Sequence, residues 1–286
     1  MSPSLPPSIS IVFPAYNEEE NIEKTVALTK KLVESIFSEW EIIVVNDGSR
    51  DRTGDIINQL HKEDPRIIAV HHDGNKGYGK ALTSGFSTAC KDLIFFCDSD
   101  LQFDINELPT FLNWIPTHDI VMGYRAKRQD PFHRLLNAKG WNILVRLILG
   151  LKVRDIDCAF KLFRREVFDH ITIESVGAMV NTEILVQAFG LGFQIKELPV
   201  THFPREFGTQ TGANLRVILK AFKELFRLRR KLKGIQPLPP RQRTAIPTPA
   251  AHSAENPREG STEEKRHAAH AAPSSPSPKT AKESIS

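Results

Sequence analysis

The first half of the chain repeats one plan, in which a short apolar run is followed by a polar cluster and then by a segment of helical periodicity. The apolar runs cover residues 8–13, 40–45, 67–71 and 93–97. Such runs, rich in β-branched and aromatic residues and alternating with helical segments, predict parallel strands covered on both faces. Because ligands bind beyond the carboxyl ends of such strands, we expect the polar clusters to meet in one crevice.

The fourth run ends in the most informative cluster, which consists of Asp98, Ser99, Asp100, Leu101 and Gln102. Mg²⁺ and Mn²⁺ prefer oxygen ligands, and Mg²⁺ usually binds through one or two carboxylates while substrate phosphates complete its shell. The cluster therefore predicts a divalent cation and a phosphorylated substrate. A polar turn that only caps the strand is the alternative for an isolated stretch of this kind.

The other clusters carry groups that suit a nucleotide. Pro14 fixes the backbone after the first strand, while Glu18 and Asp47 can accept hydrogen bonds from a ribose or a base. The loop at Lys76 and Gly77 offers a cation and flexible backbone. This loop has neither the Walker spacing nor the G-x-G-x-x-G spacing, so neither an ATPase nor a dehydrogenase is favoured.

Local structure offers a second interpretation of the same residues. Asn17 and Glu20 have the spacing of a capping box, which would make Asn17 the N-cap of the first helix. Thr53 is expected to cap the second helix, and Asp47 can also belong to an ordinary turn. The two interpretations are compatible.

Taken in order, these motifs resemble those of family 2 glycosyltransferases with the GT-A fold, in particular the dolichyl-phosphate or polyprenyl-phosphate sugar transferases. The resemblance covers roughly residues 8–230, and its motifs lie at residues 13–18, 45–53, 75–81, 98–102, 123–125, 154–163 and 196–200. It implies an α/β, Rossmann-like, mostly parallel sheet with helices on both faces. It also implies transfer of a sugar, with inversion, from a nucleotide diphosphate donor to a lipid-linked phosphate.

The resemblance assigns roles to the donor half of the site. It implies that Mg²⁺ or Mn²⁺ is held by Asp98 and Asp100, with Gln102 as a further oxygen ligand. The residues that it places around the nucleotide sugar are Pro14, Ala15, Tyr16, Asn17, Glu18, Asp47, Lys76, Gly77, Asp98, Ser99 and Asp100. A bound cation would neutralise the charge that develops on the leaving diphosphate.

The acceptor half is expected to contain arginines and one acidic residue. Arg125, Arg134 and Arg205 are candidates for the acceptor phosphate, because a guanidinium matches phosphate oxygens geometrically. Asp155 matches the acidic residue that similar transferases carry, although Ala159 stands where they have glycine. Asp155 would be either a general base or an orienting group, since a lipid monophosphate with a second pKa of about 6 is largely ionised at neutral pH.

The end of the chain differs in composition from the rest. From residue 234 onward there is no aromatic residue, and Pro, Ala, Ser and Glu dominate. Such a segment buries too little apolar surface to offset the entropy lost on ordering. We therefore expect a catalytic domain over residues 8–233, with disordered segments at residues 1–7 and 234–286.

Charge and hydropathy suggest peripheral attachment to a membrane. No stretch reaches the roughly 18 apolar residues of a membrane span, whereas residues 202–234 hold nine Lys or Arg and two Glu. The helical spacing of their apolar residues predicts a basic amphipathic helix, which either lies on an anionic surface or packs on the catalytic domain. The three cysteines lack metal-site spacing, no signal peptide is visible, and we expect a cytoplasmic enzyme at the inner membrane face.

Other functions remain open at this point. The donor can be a GDP- or a UDP-linked sugar, and the acceptor can be a glycan or a small polar molecule instead of polyprenyl phosphate. A catalytically silent scaffold that binds nucleotide or lipid is a further alternative. Nucleic acid is not an expected partner, because no recognisable module for it occurs in the chain.

Overall fold

The computed structural model describes residues 8–126, 132–204 and 215–239. Within these ranges, the side chains of residues 132–139, 142 and 215–223 are not described. Residues 1–7, the tail from residue 240 and Arg205 lie outside the described part of the chain, so the expected disorder of the ends remains a prediction.

A seven-stranded sheet forms the centre of the described structure, in the order β3-β2-β1-β4-β6-β5-β7. Its strands are β1 (Ile9–Ala15), β2 (Trp40–Asn46), β3 (Ile67–His71), β4 (Leu93–Cys97), β5 (Ile120–Arg125), β6 (Phe160–Arg164) and β7 (Ile195–Val200). The helices are α1 (Ile22–Ile36), α2 (Thr53–Glu63), α3 (Tyr78–Thr88), α4 (Leu108–Leu112), α5 (Phe132–Leu149), α6 (Met179–Gly190) and α7 (Leu215–Leu232).

The strands form where the sequence predicts them because they are covered on both faces. Every residue of β1, β2, β4 and β6 is buried, as expected for near-continuous apolar runs. Their side chains enter two apolar cores, one on each face of the sheet. The mostly parallel α/β fold is thereby confirmed.

Strand β6 is the exception to the parallel pattern. It runs antiparallel to both of its neighbours, β4 and β5, whereas the pairs β1–β2, β1–β4, β2–β3 and β5–β7 are parallel. The order of the strands reverses between β1 and β4, which creates a crevice at their carboxyl ends. This topology brings the loops after β1, β2 and β4 to the same edge.

The capping interpretation of Asn17 is wrong. Helix α1 begins at Ile22, with Asn21 at the N-cap position and no side-chain cap bond. Asn17 has φ 55°, and its Oδ1 accepts a hydrogen bond from the Arg50 amide at 2.9 Å. Its short polar side chain tolerates this left-handed conformation while it ties the first loop to the second. Thr53 is the first residue of α2 and not its cap.

Helices α5 and α7 contact each other, and α7 also contacts α6. The described part of α7 buries Leu225 and Leu228 in the core, so at least this part of the apolar stripe packs on the domain. After α7, the Leu238 amide donates to the Leu191 carbonyl at 3.0 Å. Among the residues described, no helix is long and apolar enough to cross a bilayer.

Candidate active site

A cavity of about 690 Å³ lies at the carboxyl ends of β1, β2 and β4. Ten of the predicted nucleotide-sugar residues line it, and they are Pro14, Ala15, Tyr16, Asn17, Glu18, Asp47, Gly77, Asp98, Ser99 and Asp100. Asn75, Tyr78 and Ala81 complete the lining. The polar clusters therefore meet in one crevice, as the topology requires.

The loops after β1 and β2 are held together by hydrogen bonds. The Asn17 amide donates to Ser49 Oγ at 3.0 Å, and the Glu18 amide donates to Thr53 Oγ1 at 2.8 Å. The Glu18 carboxylate is buried and accepts from Asn21 Nδ2 at 2.8 Å. Glu18 is thus oriented by its own helix start before any ligand is bound.

Asp47 organises the glycine-containing loop as well as lining the cavity. Its Oδ1 accepts from the Lys76 amide at 2.8 Å and lies 2.7 Å from His72 Nδ1, while its Oδ2 accepts from the Gly77 amide at 2.8 Å. A Cβ at Gly77 would lie 2.5 Å from the Val176 carbonyl oxygen, and Gly77 has φ +96°. The glycine is therefore required both by the conformation and by the close approach.

The two carboxylates after β4 are neighbours, of which Asp100 is buried and Asp98 is partly buried. Asp98 accepts from the Tyr78 hydroxyl at 2.9 Å through Oδ1, and Asp100 Oδ1 accepts from the Gln102 amide at 3.2 Å. Burial and the charge of Asp100 raise the pKa of Asp98 to about 7. Leu101 has φ 60°, a conformation that β-carbons disfavour and that often marks a functional loop.

This pair fits a divalent cation. Two neighbouring like charges repel each other and are stabilised when a cation lies between them. In the described ranges, no group of three or more His, Cys, Asp or Glu side chains is arranged for a metal. Two carboxylates suit a cation whose remaining ligands are water and substrate phosphates.

Arg125 and Asp155 form a buried fork. Arg125 Nε donates to Asp155 Oδ2 at 2.7 Å, and Nη2 donates to Oδ1 at 2.8 Å. Burial lowers the pKa of Arg125, but its bonds to Asp155 outweigh this effect and the net pKa is raised. Both carboxylate oxygens of Asp155 thus accept hydrogen bonds from the Arg125 guanidinium. Neither Arg125 nor Asp155 lines the cavity described above.

Several predicted residues are placed differently or are not described. Lys76 does not line the cavity, and its half-exposed side chain lies 3.8 Å from Asp73. Gln102 Nε2 donates to the Phe203 carbonyl at 3.0 Å, so its amide has a protein partner. The side chain of Arg134, in α5, and the whole of Arg205 lie outside the described part of the chain.

Sequence analysis missed four polar residues that support the site. Tyr78 and His72 contact the predicted Asp98 and Asp47, and behind Tyr78 lie Asn181 and Lys161. Burial lowers the pKa of Lys161, whose side chain is almost fully enclosed. A charged residue within the apolar run of β6 was a visible signal, because an ionised side chain is rarely buried without partners.

The family model for "Glycosyl transferase family 2" matches residues 10–172, which is more than half of the chain. The chain belongs to glycosyl transferase family 2. The matched range contains β1 except for its first residue and all of β2 to β6. Every predicted donor-site residue, Arg125 and Asp155 lie within it. The family resemblance drawn from the sequence is confirmed.

Two curated relatives illustrate the similarity. Over 207 residues the chain is 35% identical to glycosyltransferase AglD of Haloferax volcanii, which covers 69% of this chain and 33% of the relative. Over 218 residues it is 32% identical to undecaprenyl-phosphate 4-deoxy-4-formamido-L-arabinose transferase of Pectobacterium atrosepticum, covering 74% and 64%. The chain thus spans between a third and about two thirds of the length of these relatives.

A solved structure shows the same fold. Glucosyl-3-phosphoglycerate synthase from Mycobacterium tuberculosis, crystallised with Mn²⁺, UDP and glucosyl-3-phosphoglycerate, aligns with a TM-score of 0.58. The alignment covers 82% of this chain and 81% of the other, at 21% sequence identity. The likeness extends the fold comparison beyond the matched family range and establishes a GT-A architecture for the described chain.

Proposed function

We propose that this protein transfers a sugar, with inversion, from a nucleoside diphosphate donor to a polyprenyl phosphate. The observation that carries the proposal is the pair of neighbouring carboxylates, partly buried Asp98 and buried Asp100, in a cavity lined by the nucleotide motifs. The relative that acts on undecaprenyl phosphate supports the choice of acceptor.

In this proposal, the loops after β1 and β2 bind the nucleoside. The carboxylates of Glu18 and Asp47 receive hydrogen bonds from the ribose and the base, because ionised carboxylates only accept. Both side chains are already oriented by protein partners. Little conformational entropy is therefore lost at these residues when the donor binds.

Asp98 and Asp100 would hold Mg²⁺ or Mn²⁺. When bound, the cation neutralises charge on the leaving diphosphate. The solved relative with Mn²⁺ and UDP supports this assignment at the level of the fold. Gln102 would join as a ligand through its Oε1, since Nε2 is the atom that bonds to Phe203.

Arg125 would bind the acceptor phosphate, and Asp155 would position Arg125 without acting as a base. Because both Asp155 oxygens accept from the guanidinium, they are poorly placed to remove a proton. None needs to be removed, since a phosphate monoester with a second pKa of about 6 is already largely ionised at neutral pH. Arg134 and Arg205 complete the proposed set of phosphate contacts.

We further propose that α5 and α7 place the site at an anionic membrane surface on its cytoplasmic side. Phe226 is 58% exposed and is followed on the outer face of α7 by Arg229 and Arg230. On α5, Leu147 is 76% exposed beside exposed Arg146. Apolar side chains flanked by arginines suit the boundary between lipid headgroups and acyl chains.

A product-partition assay tests this function. The full chain is incubated with radiolabelled UDP- or GDP-sugars, Mn²⁺ and polyprenyl phosphate, and the products are extracted into organic solvent. We expect metal-dependent label in the organic phase. Label confined to a water-soluble product would instead identify a glycan or small polar acceptor. If no nucleotide sugar is consumed under any of these conditions, the protein is a scaffold without transferase activity.

A further inference from the structure

A chain of polar side chains runs through the interior from Asp98 to the helix α6 and the strand β6. The Tyr78 hydroxyl donates to Asp98 Oδ1 at 2.9 Å. Burial and the charge of Asp98 raise the pKa of Tyr78, and the neighbouring Asn181 side chain lowers it. Lys161 Nζ donates to Asn181 Oδ1 at 2.9 Å. Tyr78 and Lys161 therefore both donate in the direction of Asp98, and neighbouring polar groups oriented in one direction polarise one another.

The same lysine also reaches the acceptor side of the site. Lys161 Nζ donates to the Cys158 carbonyl, and the Cys158 amide donates to the Asp155 carbonyl at 3.3 Å. This turn holds Asp155 against Arg125. These polar side chains thus connect Asp98, in the proposed metal site, with Asp155 and Arg125, in the proposed acceptor site.

Packing does not explain a lysine at this position. Lys161 is 1% exposed, and its Nζ lies 5.1 Å from the centre of the Phe96 ring. An apolar side chain of similar length would fill the same space without the desolvation penalty of an ammonium group. What the ammonium adds is its set of hydrogen bonds to the two segments, and these fix the orientation of Asn181.

The chain of donors also decides which oxygen of Asp98 is available. Oδ1 is occupied by Tyr78, whereas Oδ2 makes no hydrogen bond to any residue that the structure describes. Carboxylates that bind metals are commonly oriented by such outer partners, whose loss weakens metal binding by roughly 10- to 100-fold. Asp98 itself contacts the donor cavity.

We propose that Tyr78, Asn181 and Lys161 are positioning residues that orient Asp98 with its Oδ2 toward a divalent cation. Lys161 also fixes the position of the Asp155 turn relative to Asp98. The inference rests on the proposed function and adds to it three residues to which the sequence motifs assigned no role. It distinguishes these side chains from simple core residues, because it assigns them an effect on metal affinity.

Direct Mn²⁺ binding tests the inference without measuring turnover. Free Mn²⁺ is followed by electron paramagnetic resonance while the full chain is titrated in the presence of UDP or GDP. Tyr78→Phe removes the hydroxyl that donates to Asp98, and Asn181→Leu removes the amide that accepts from Lys161. The double variant removes both groups. Thr182→Val is the matched control, because buried Thr182 Oγ1 has no hydrogen-bond partner among the described residues.

We expect each single variant to bind Mn²⁺ at least tenfold more weakly than the wild type. The double variant should have the same affinity for Mn²⁺ as the single variant with the lower affinity, since the two residues act on Asp98 together and not independently. Thr182→Val should bind as the wild type does, and Tyr78→Phe should unfold at a similar temperature. These results together would separate positioning from a general loss of structure.

Two results would contradict the inference in different ways. If the wild type retains Mn²⁺ and Tyr78→Phe, folded to the same extent, retains it equally well, the positioning role is wrong while the metal site stands. If the wild type retains no Mn²⁺ beyond that bound by the nucleotide alone, the proposed metal function fails, and the positioning role fails with it.

Discussion

At the scale of single residues, the site depends on charges that are held out of water. Asp100, Asp155 and Lys161 are all at most 9% exposed, and Asp98 is partly buried. A buried charge is costly unless it has partners, so each of them is expected to be sensitive to substitution. The two carboxylates after β4 differ from the others because we propose that a divalent cation neutralises their charge.

Asp100→Asn tests the carboxylate pair with little change in volume. The amide cannot carry the charge that a divalent cation requires, so we expect turnover to fall by about 100-fold or more. Initial rates with radiolabelled donor measure the effect. Asp169→Asn is the control, because Asp169 is exposed and does not line the donor cavity, and it should retain wild-type rates. Equal rates for both variants would remove Asp100 from the mechanism.

Arg125→Lys tests the fork on Asp155. Lysine keeps the charge but loses the two parallel hydrogen bonds, so we expect a stability loss of about 2–3 kcal/mol and a drop in transfer of at least tenfold. Urea unfolding and initial rates measure the two effects. Arg165→Lys alters an exposed pair at 3.6 Å and should change neither. An Arg125→Lys variant with wild-type stability would show that the fork contributes little.

The sequence identifies those site residues that directly follow a strand, because topology alone brings such residues together. It does not identify Tyr78, Asn181 or Lys161 as a group, since their hydrogen bonds join different elements 20 positions apart in the chain. Their roles depend on packing, which no local pattern records. Asn17 illustrates the reverse error, in which a local capping pattern was overridden by a contact with the next loop.

At the scale of elements, the strands were predictable and the antiparallel strand was not. The predicted runs at 40–45, 67–71 and 93–97 agree with β2, β3 and β4 to within one residue. Burial on both faces makes these runs uniformly apolar. The apolar residues of β6 do not reveal its direction, because parallel and antiparallel strands with both faces covered have the same side-chain pattern.

Helix α7 is the element that we predict to bind an anionic membrane surface. Reversing two of its exposed charges with Arg229→Glu and Arg230→Glu should weaken binding to phosphatidylglycerol vesicles at least tenfold, since each basic residue near an anionic surface contributes about 1 kcal/mol. Co-sedimentation at low and high salt measures the effect. Lys31→Glu with Lys62→Glu, at exposed positions of α1 and α2, is the charge-matched control. Equal losses in both pairs would indicate a general charge effect and contradict a specific surface.

At the scale of the whole molecule, ion pairs tie the outer elements of the domain together. Asp64, which follows α2, lies 2.7 Å from Lys30 Nζ of α1 and 2.8 Å from Arg66 Nη2 before β3. Its hydrogen bonds to Arg66, and then those to Lys30, hold the pKa of Asp64 well below its usual 3.8. One carboxylate thereby links two helices and an edge strand.

A depressed pKa makes this contribution dependent on pH in a defined direction. The stabilisation is fully present above the unfolded pKa of Asp64 and is lost as the pH falls toward the folded one. Asp64→Asn should therefore cost about 1 kcal/mol at neutral pH, with a difference that shrinks below about pH 4. Urea unfolding across this range measures it, with exposed Glu63→Gln as the control. A constant difference at all pH values would show that packing, and not charge, is lost.

The most direct test of the central claim is a crystal structure of the full chain with Mn²⁺ and the nucleoside diphosphate of its donor, located by the anomalous signal of manganese. The account predicts one manganese peak within coordination distance of Asp98 and Asp100, bridging to the diphosphate, with the nucleoside against residues 14–18 and Asp47. A diphosphate bound away from these two carboxylates, or a nucleotide held there with no manganese beside them, would contradict it.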